Sequence, residues 1–147
     1  MTINFDIYNE INSLLLDYQN SKLLVVSKNR SKNDVKELMN RGANLFGENR
    51  VQEAKVKFTD DLYEKYNFKL HLIGPLQSNK TEDALTVFDT IQTIDRYKLV
   101  DTISKLKNKK KFKTKSYYIQ INIGEEDQKS GISLNELNNL YDYSLEK

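Results

Sequence analysis

The chain has 147 residues, a one-domain length, with 38% apolar and 30% charged residues, so it can build a core and is not a disordered segment. Its 23 basic and 21 acidic residues leave a net charge of +2, which excludes a globally basic nucleic-acid binder and a polyacidic tail. The absence of Cys excludes disulfides, Cys-zinc sites and thiol chemistry, and a single His argues against a His metal centre or a His-dependent triad.

The N-terminal residues Met1–Asp6 lack the layout of a signal peptide, and no apolar run approaches the ~20 residues of a membrane span. A cytoplasmic, membrane-free protein is the expectation. Ile7, Ile11, Leu14, Leu15 and Tyr18 recur at helical spacing and predict an amphipathic first helix with these residues as its buried face. The run Leu23–Val26 predicts a strand buried on both sides. Ser31 and Asp34 form a capping box that opens a second helix. Val35, Leu38 and Met39 are its buried stripe and Gly42 its C′ residue.

The alternation continues. A short strand at Asn44–Phe46 precedes a helix from about Glu48, with Val51, Ala54 and Phe58 on one side. Lys69–Ile73 is a third strand, ended by Gly74-Pro75, and a weaker helix follows at Asn79–Leu85. Phe88–Ile94 is a fourth strand, after which Asp95 caps a helix with Leu99, Ile103 and Leu106 inward. Ser116–Ile123 predicts a fifth strand, with Tyr117, Ile119, Ile121 and Ile123 on one face and Tyr118, Gln120 and Asn122 on the other. Ser133 and Glu136 form a second capping box before a helix that buries Leu137, Leu140 and Tyr141. A leading helix and about five βα units imply an α/β fold with a parallel sheet and no internal domain boundary. Two architectures fit: an open flavodoxin-like sheet, or a (β/α)8 barrel cut short, since a full barrel takes ~250 residues.

In both architectures chemistry collects where strands end. The first strand runs into Ser27-Lys28, and a partly desolvated Lys has more neutral amine, which can condense with an aldehyde. The plainer reading is one surface Lys among 19. Gly47-Glu48-Asn49 after the second strand either points an amide into the same mouth or is an ordinary turn into a helix. His71 sits inside the third strand, where a satisfied core His is the commoner case. Ser78 and Asn79, beyond Gly74-Pro75, either face the mouth or cap the next helix. The two amides Gln120 and Asn122 on one strand face suit a barrel interior better than a face pressed on helices. The Lys-rich stretch Lys105–Lys115 has one aromatic, Phe112, and reads as a solvated segment rather than a nucleic-acid site.

Four runs in register carry a specific resemblance: Leu24–Lys28, Phe46–Glu53, His71–Lys80, and Ile119–Ile123 followed by Lys129-Ser130-Gly131. Together they resemble the pyridoxal phosphate homeostasis protein family, which has the alanine racemase N-terminal type of barrel and no second domain. The resemblance implies that pyridoxal 5′-phosphate is held covalently by Lys28 as an internal aldimine. It also implies that Asn49 lies beside the cofactor and that His71, Ser78, Asn79 and Asn122 surround the barrel mouth. It implies a non-catalytic role in cofactor homeostasis, with pyridoxal phosphate-dependent enzymes as recipients. A racemase-like enzyme fragment and an open flavodoxin-like domain of other function are the alternatives. The family continues with three more strands, including a Gly-Ser-Thr phosphate cradle, for which this sequence has no counterpart. The expectation is therefore one domain over residues 1–147, a partial barrel with weak cofactor binding and association through its sheet edges.

Overall fold

The computed structural model describes residues 3–126 and 128–147, so Met1 and Thr2 of the N-terminal reading lie outside the described residues. The elements are α1 (Phe5–Leu15), β1 (Val25–Val26), α2 (Lys32–Asn40), β2 (Leu45–Glu48), α3 (Val51–Lys57), α4 (Asp60–Lys65) and β3 (Lys69–Leu72). They continue as α5 (Thr81–Val87), β4 (Thr90–Ile94), α6 (Tyr97–Lys107), β5 (Ser116–Ile119) and α7 (Leu137–Leu145). Short 3-10 turns at Ser78–Lys80 and Leu134–Glu136 lead into α5 and α7.

Several boundaries follow from local chemistry. Ser31 Oγ accepts the Asp34 N–H at 3.1 Å and Asp34 Oδ2 accepts the Ser31 N–H at 2.9 Å, so the predicted capping box forms. α2 ends in a Schellman motif. The Ala43 N–H reaches the Leu38 carbonyl, the Gly42 N–H reaches that of Met39, and Gly42 takes φ 91°, which only Gly adopts without strain.

The five strands are all parallel and lie in the order β1-β2-β3-β4-β5. A doubly wound sheet reverses its strand order at a switch point. This one does not, so the flavodoxin-like alternative is set aside. With right-handed crossovers, an unreversed order puts the connecting helices on one face. Accordingly α3 packs on α5, α5 on α6, and α6 on α7.

The register assigns the two faces. Phe46 pairs with Leu70, Glu48 with Leu72, Leu72 with Ile91, and Ile91 with Tyr117, so these share the helix-covered face. Phe46, Leu70, Leu72 and Ile91 are essentially inaccessible, and the Phe46 ring meets Phe58 at a tilt and Phe68 edge to face. Val26 pairs with Gly47 and His71 with Thr90 on the opposite face. There Val26 is 48% and Tyr118 is 56% exposed.

Other expectations are corrected. α1 buries no residue; Ile7, Ile11, Leu14 and Tyr18 are exposed, while Ile3, Phe5 and Tyr8 make the contacts with the core. The first strand is two residues long and an edge, so it is not covered on both sides. The fifth ends at Ile119; Ile121 makes a lone bridge to Ile132, and Ile123 is exposed. The third helix begins at Val51, because Glu48 completes β2 instead of opening a helix. Asp95 does not cap α6 but pairs with Arg96. The Ser133–Glu136 box does not form: neither side chain caps, Glu136 accepts from the Tyr97 hydroxyl at 3.2 Å, and Tyr141 is exposed.

Candidate functional site

Where the strands end, the chain turns through polar residues. After β1, Ser27 is buried, and the Arg30 N–H donates to its carbonyl at 3.1 Å, closing a turn that holds Lys28 and Asn29. Lys28 is exposed rather than partly desolvated, and Asn29 takes the left-handed conformation at φ 59°. After β2, Asn49 is half-buried. Its backbone lies so close to Gly74, which follows β3, that a Cβ at Gly74 would overlap it. The Thr93 hydroxyl donates to the Gly74 carbonyl at 2.9 Å, drawing the end of β4 to the same place. These contacts gather the ends of β2, β3 and β4.

Two clefts open here. One, of about 660 Å³, is lined by Asn49, Arg50, Gln77, Lys80, Arg96 and Ser130 among others. The Arg96 guanidinium is fixed by the Leu76 carbonyl at 2.6 Å and by Asp95. The second, of about 410 Å³, is lined by Ile73, Gln120, Asn122 and Lys129, and shares Pro75 and Ser130 with the first. Asn49 and Asn122 therefore lie on adjoining clefts, whereas Lys28, Ser78 and Asn79 line neither. Ser78 and Asn79 form the 3-10 turn before α5, and neither caps it with a side chain. Asn122 Nδ2 donates to the Glu126 carbonyl at 2.9 Å, so part of its amide closes its own loop.

His71 is half-buried on the open face of the sheet. Gln92 Nε2 donates to its Nδ1 at 2.8 Å, which leaves the neutral ring's proton on Nε2. Burial lowers the His71 pKa below its ordinary range, and the nearby Asp89 charge offsets only part of that. Gln92 was missed in the sequence, although its period-2 offset from the strand's apolar positions marks it as facing away from the helices.

Sequence reasoning also missed the most buried charged group. Glu48 is fully inaccessible, and its Oε1 accepts from Ser27 Oγ at 2.6 Å and from Lys57 Nζ at 2.7 Å. Lys57 is 6% exposed and also donates to Glu53 Oε1 at 2.9 Å and to the Ser27 carbonyl at 2.6 Å. Burial pushes the Glu53 pKa up, but the hydrogen bonds from Lys57 and the Asn29 N–H, with the Lys57 and Arg50 charges, hold it below its ordinary value. The i,i+4 spacing of Glu53 and Lys57 was a usable signal for that pair. Nothing local pointed from Lys57 to Ser27.

Fold and site together define a singly wound parallel α/β protein whose polar side chains gather at the carboxyl ends of its strands. No family model matches the chain. Over 116 residues, 79% of this chain and 49% of the relative, it is 42% identical to the pyridoxal phosphate homeostasis protein of Pasteurella multocida (strain Pm70). Among solved structures it is similar to PipY of Synechococcus elongatus PCC7942 without PLP, with a TM-score of 0.81 and 28% identity, covering 95% of this chain and 65% of that one. PipY with PLP bound gives a TM-score of 0.70 at 28% identity, over 90% of this chain and 62% of that one. The chain spans about half the length of the curated relatives it matches. Over that span it is homologous to the pyridoxal phosphate homeostasis proteins.

Proposed function

We propose that this chain binds pyridoxal 5′-phosphate for cofactor homeostasis, with Lys28 as the covalent attachment point. The donor set at the strand ends fits such an anionic aldehyde. Lys28 offers an exposed primary amine on the turn after β1. Asn49 and Asn122 offer amides, and Arg50, Lys80 and Arg96 place positive charge around the larger cleft. Lys28 would hold the cofactor through its aldehyde carbon, by a condensation at Nζ that releases water. The bound cofactor would itself supply the electron-sink chemistry. In this reading His71, held by Gln92, stays neutral beside the mouth, and Ser78 and Asn79 shape the turn that borders it. The relative solved with PLP bound is the observation that most supports it.

The reading extends to architecture. The unreversed strand order supports assigning β1–β5 as the first five strands of a (β/α)8 barrel, with the open sheet face as its interior. It extends also to role: a cytoplasmic carrier that hands the cofactor to dependent enzymes, without turnover of its own. Mixing the chain with pyridoxal phosphate tests the core of it. The expected result is a stable visible absorbance, trapped by borohydride on the Lys28 peptide and lost in Lys28→Ala. Absorbance that survives Lys28→Ala would overturn the assignment. Amino-acid racemisation lost in Lys28→Ala would favour the enzyme reading instead.

A further inference from the structure

Both chain neighbours of Lys28 are tied to one buried ammonium. Lys57 Nζ spends its three protons on the Ser27 carbonyl, Glu48 Oε1 and Glu53 Oε1. Ser27 is held a second time, by its own hydroxyl on Glu48. On the other side of Lys28, the Asn29 N–H donates to Glu53 Oε1 at 2.5 Å. That bond helps to hold Asn29 in a left-handed conformation that carries a steric cost for residues other than Gly. Lys28, between these two anchors, remains exposed.

We propose that Lys57, acting through Glu48 and Glu53, is a positioning residue that fixes the backbone of the Lys28 turn while leaving the Lys28 side chain free to react. The inference rests on the reading of Lys28 as the attachment point. Its physical basis is orientation. An amine whose backbone is already fixed loses less freedom on meeting an aldehyde than one on a loose loop. A buried lysine is costly unless every proton is used, and here each one goes to a group that borders or supports the turn. An ammonium placed only to cancel Glu48 would have no need of the Ser27 carbonyl or of a second carboxylate that reaches Asn29.

The test uses the full chain, with pyridoxal phosphate as the probe and two readouts. One is hydrogen exchange of the Asn29 amide without pyridoxal phosphate. The other is the share of borohydride-trapped label found on Lys28 among the 19 lysines. Glu53→Ala removes the acceptor of the Asn29 N–H from a partly exposed position. Asn29 exchange should quicken about tenfold, the scale of one lost charge-assisted hydrogen bond, and the Lys28 share of label should drop severalfold. Glu53→Gln keeps an acceptor oxygen and should restore most of both. Lys57→Met should act in the same direction and more strongly; should it not fold, Glu53→Ala carries the test. Label on Lys28 at the wild-type share in Glu53→Ala overturns the proposal, whatever the exchange result. Wild-type chain that leaves Lys28 unlabelled, yet protects Asn29 in a Glu53-dependent way, would instead defeat the cofactor reading and leave the backbone clamp standing.

Discussion

His71 and Leu72 are neighbours on β3, yet they meet opposite surroundings. Leu72 is 1% exposed beneath the helices, with Phe46, Leu70 and Ile91 around it on the same face. His71 looks the other way, half-buried, with Gln92 as its hydrogen-bond partner. The alternation of a strand makes this division unavoidable, and the helices decide which half is dry. One face consequently carries the stability, and the other is free to carry polar groups that a ligand can meet. The exception is informative: Glu48 is on the dry face, where Lys57 supplies its countercharge and bonds Oε1 together with Ser27, while Oε2 is buried without a hydrogen-bond partner among the described residues.

That exception gives the largest expected effect. Lys57→Met leaves the Glu48 carboxylate buried without its cation, which should cost about 3–5 kcal/mol in urea unfolding. A loss below about 1 kcal/mol, the range of surface pairs, would mean that the dry face admits water at Glu48. On β3 itself, Leu72→Ala should cost about 2–5 kcal/mol through lost contact and a cavity. His71→Ala, one residue away, should cost only about 0.5–1.5 kcal/mol, the net worth of one hydrogen bond. Equal losses at the two positions would break the division between the faces.

Asp89 lies just before β4 and links β3 to the segment that leads into β5. It accepts the Leu70 N–H at 2.9 Å and pairs with Lys113 at 3.1 Å and Lys69 at 3.3 Å. Burial pushes its pKa up, but the Leu70 N–H and the two lysines outweigh burial and hold it below the ordinary value. Its folded pKa is depressed, so its contribution is present above the unfolded value and is lost as pH falls through the folded one. Asp89→Asn should cost about 1.5–3 kcal/mol at neutral pH, the scale of hydrogen bonds to a charged group. It should also flatten the acid limb of stability measured by urea unfolding across pH.

Much of this division was legible in the sequence. Period-2 alternation in β5 correctly separates Tyr117 and Ile119 from Tyr118 and Gln120, and the Ser31–Asp34 box and Gly42 mark the ends of α2 through chemistry contained in a few residues. The misreadings share one cause. Periodicity tells that a helix has an apolar side, not that something covers it, so Ile7, Ile11 and Leu14 were expected inside and lie outside. Glu48 reads locally as a helix opener because its true partners, Ser27 and Lys57, are 21 and 9 residues away. Ser133 and Glu136 have the right spacing for a box, yet Glu136 finds the Tyr97 hydroxyl across the fold instead. Of the candidate site, the strand-end positions of Lys28 and Asn49 were readable, because strand ends are local, whereas Asn122 was expected within the fifth strand and lies beyond its end at Ile119. The clamp behind Lys28 was not, because it is built from three separate segments.

The smallest expected effect probes a flaw on the dry face. Tyr117 lies there beside a groove of about 440 Å³ lined by Val100, Ile103, Leu137 and Tyr141, and its hydroxyl is buried without a hydrogen-bond partner among the described residues. Burial pushes its pKa up to about 12. An unfolded tyrosine ionises near pH ~10, so between that value and the folded one the unfolded chain binds fewer protons. Stability from this group therefore falls as pH rises through that window. Tyr117→Phe removes the unpaired hydroxyl and keeps the ring, so it should be neutral or stabilising by up to about 1 kcal/mol at pH ~7. Its advantage over wild type should grow in alkaline urea titrations. A clear loss of stability at neutral pH would mean that the hydroxyl is hydrogen-bonded after all, and that the helix-covered face is wetter beside α6 and α7 than it is around Leu72.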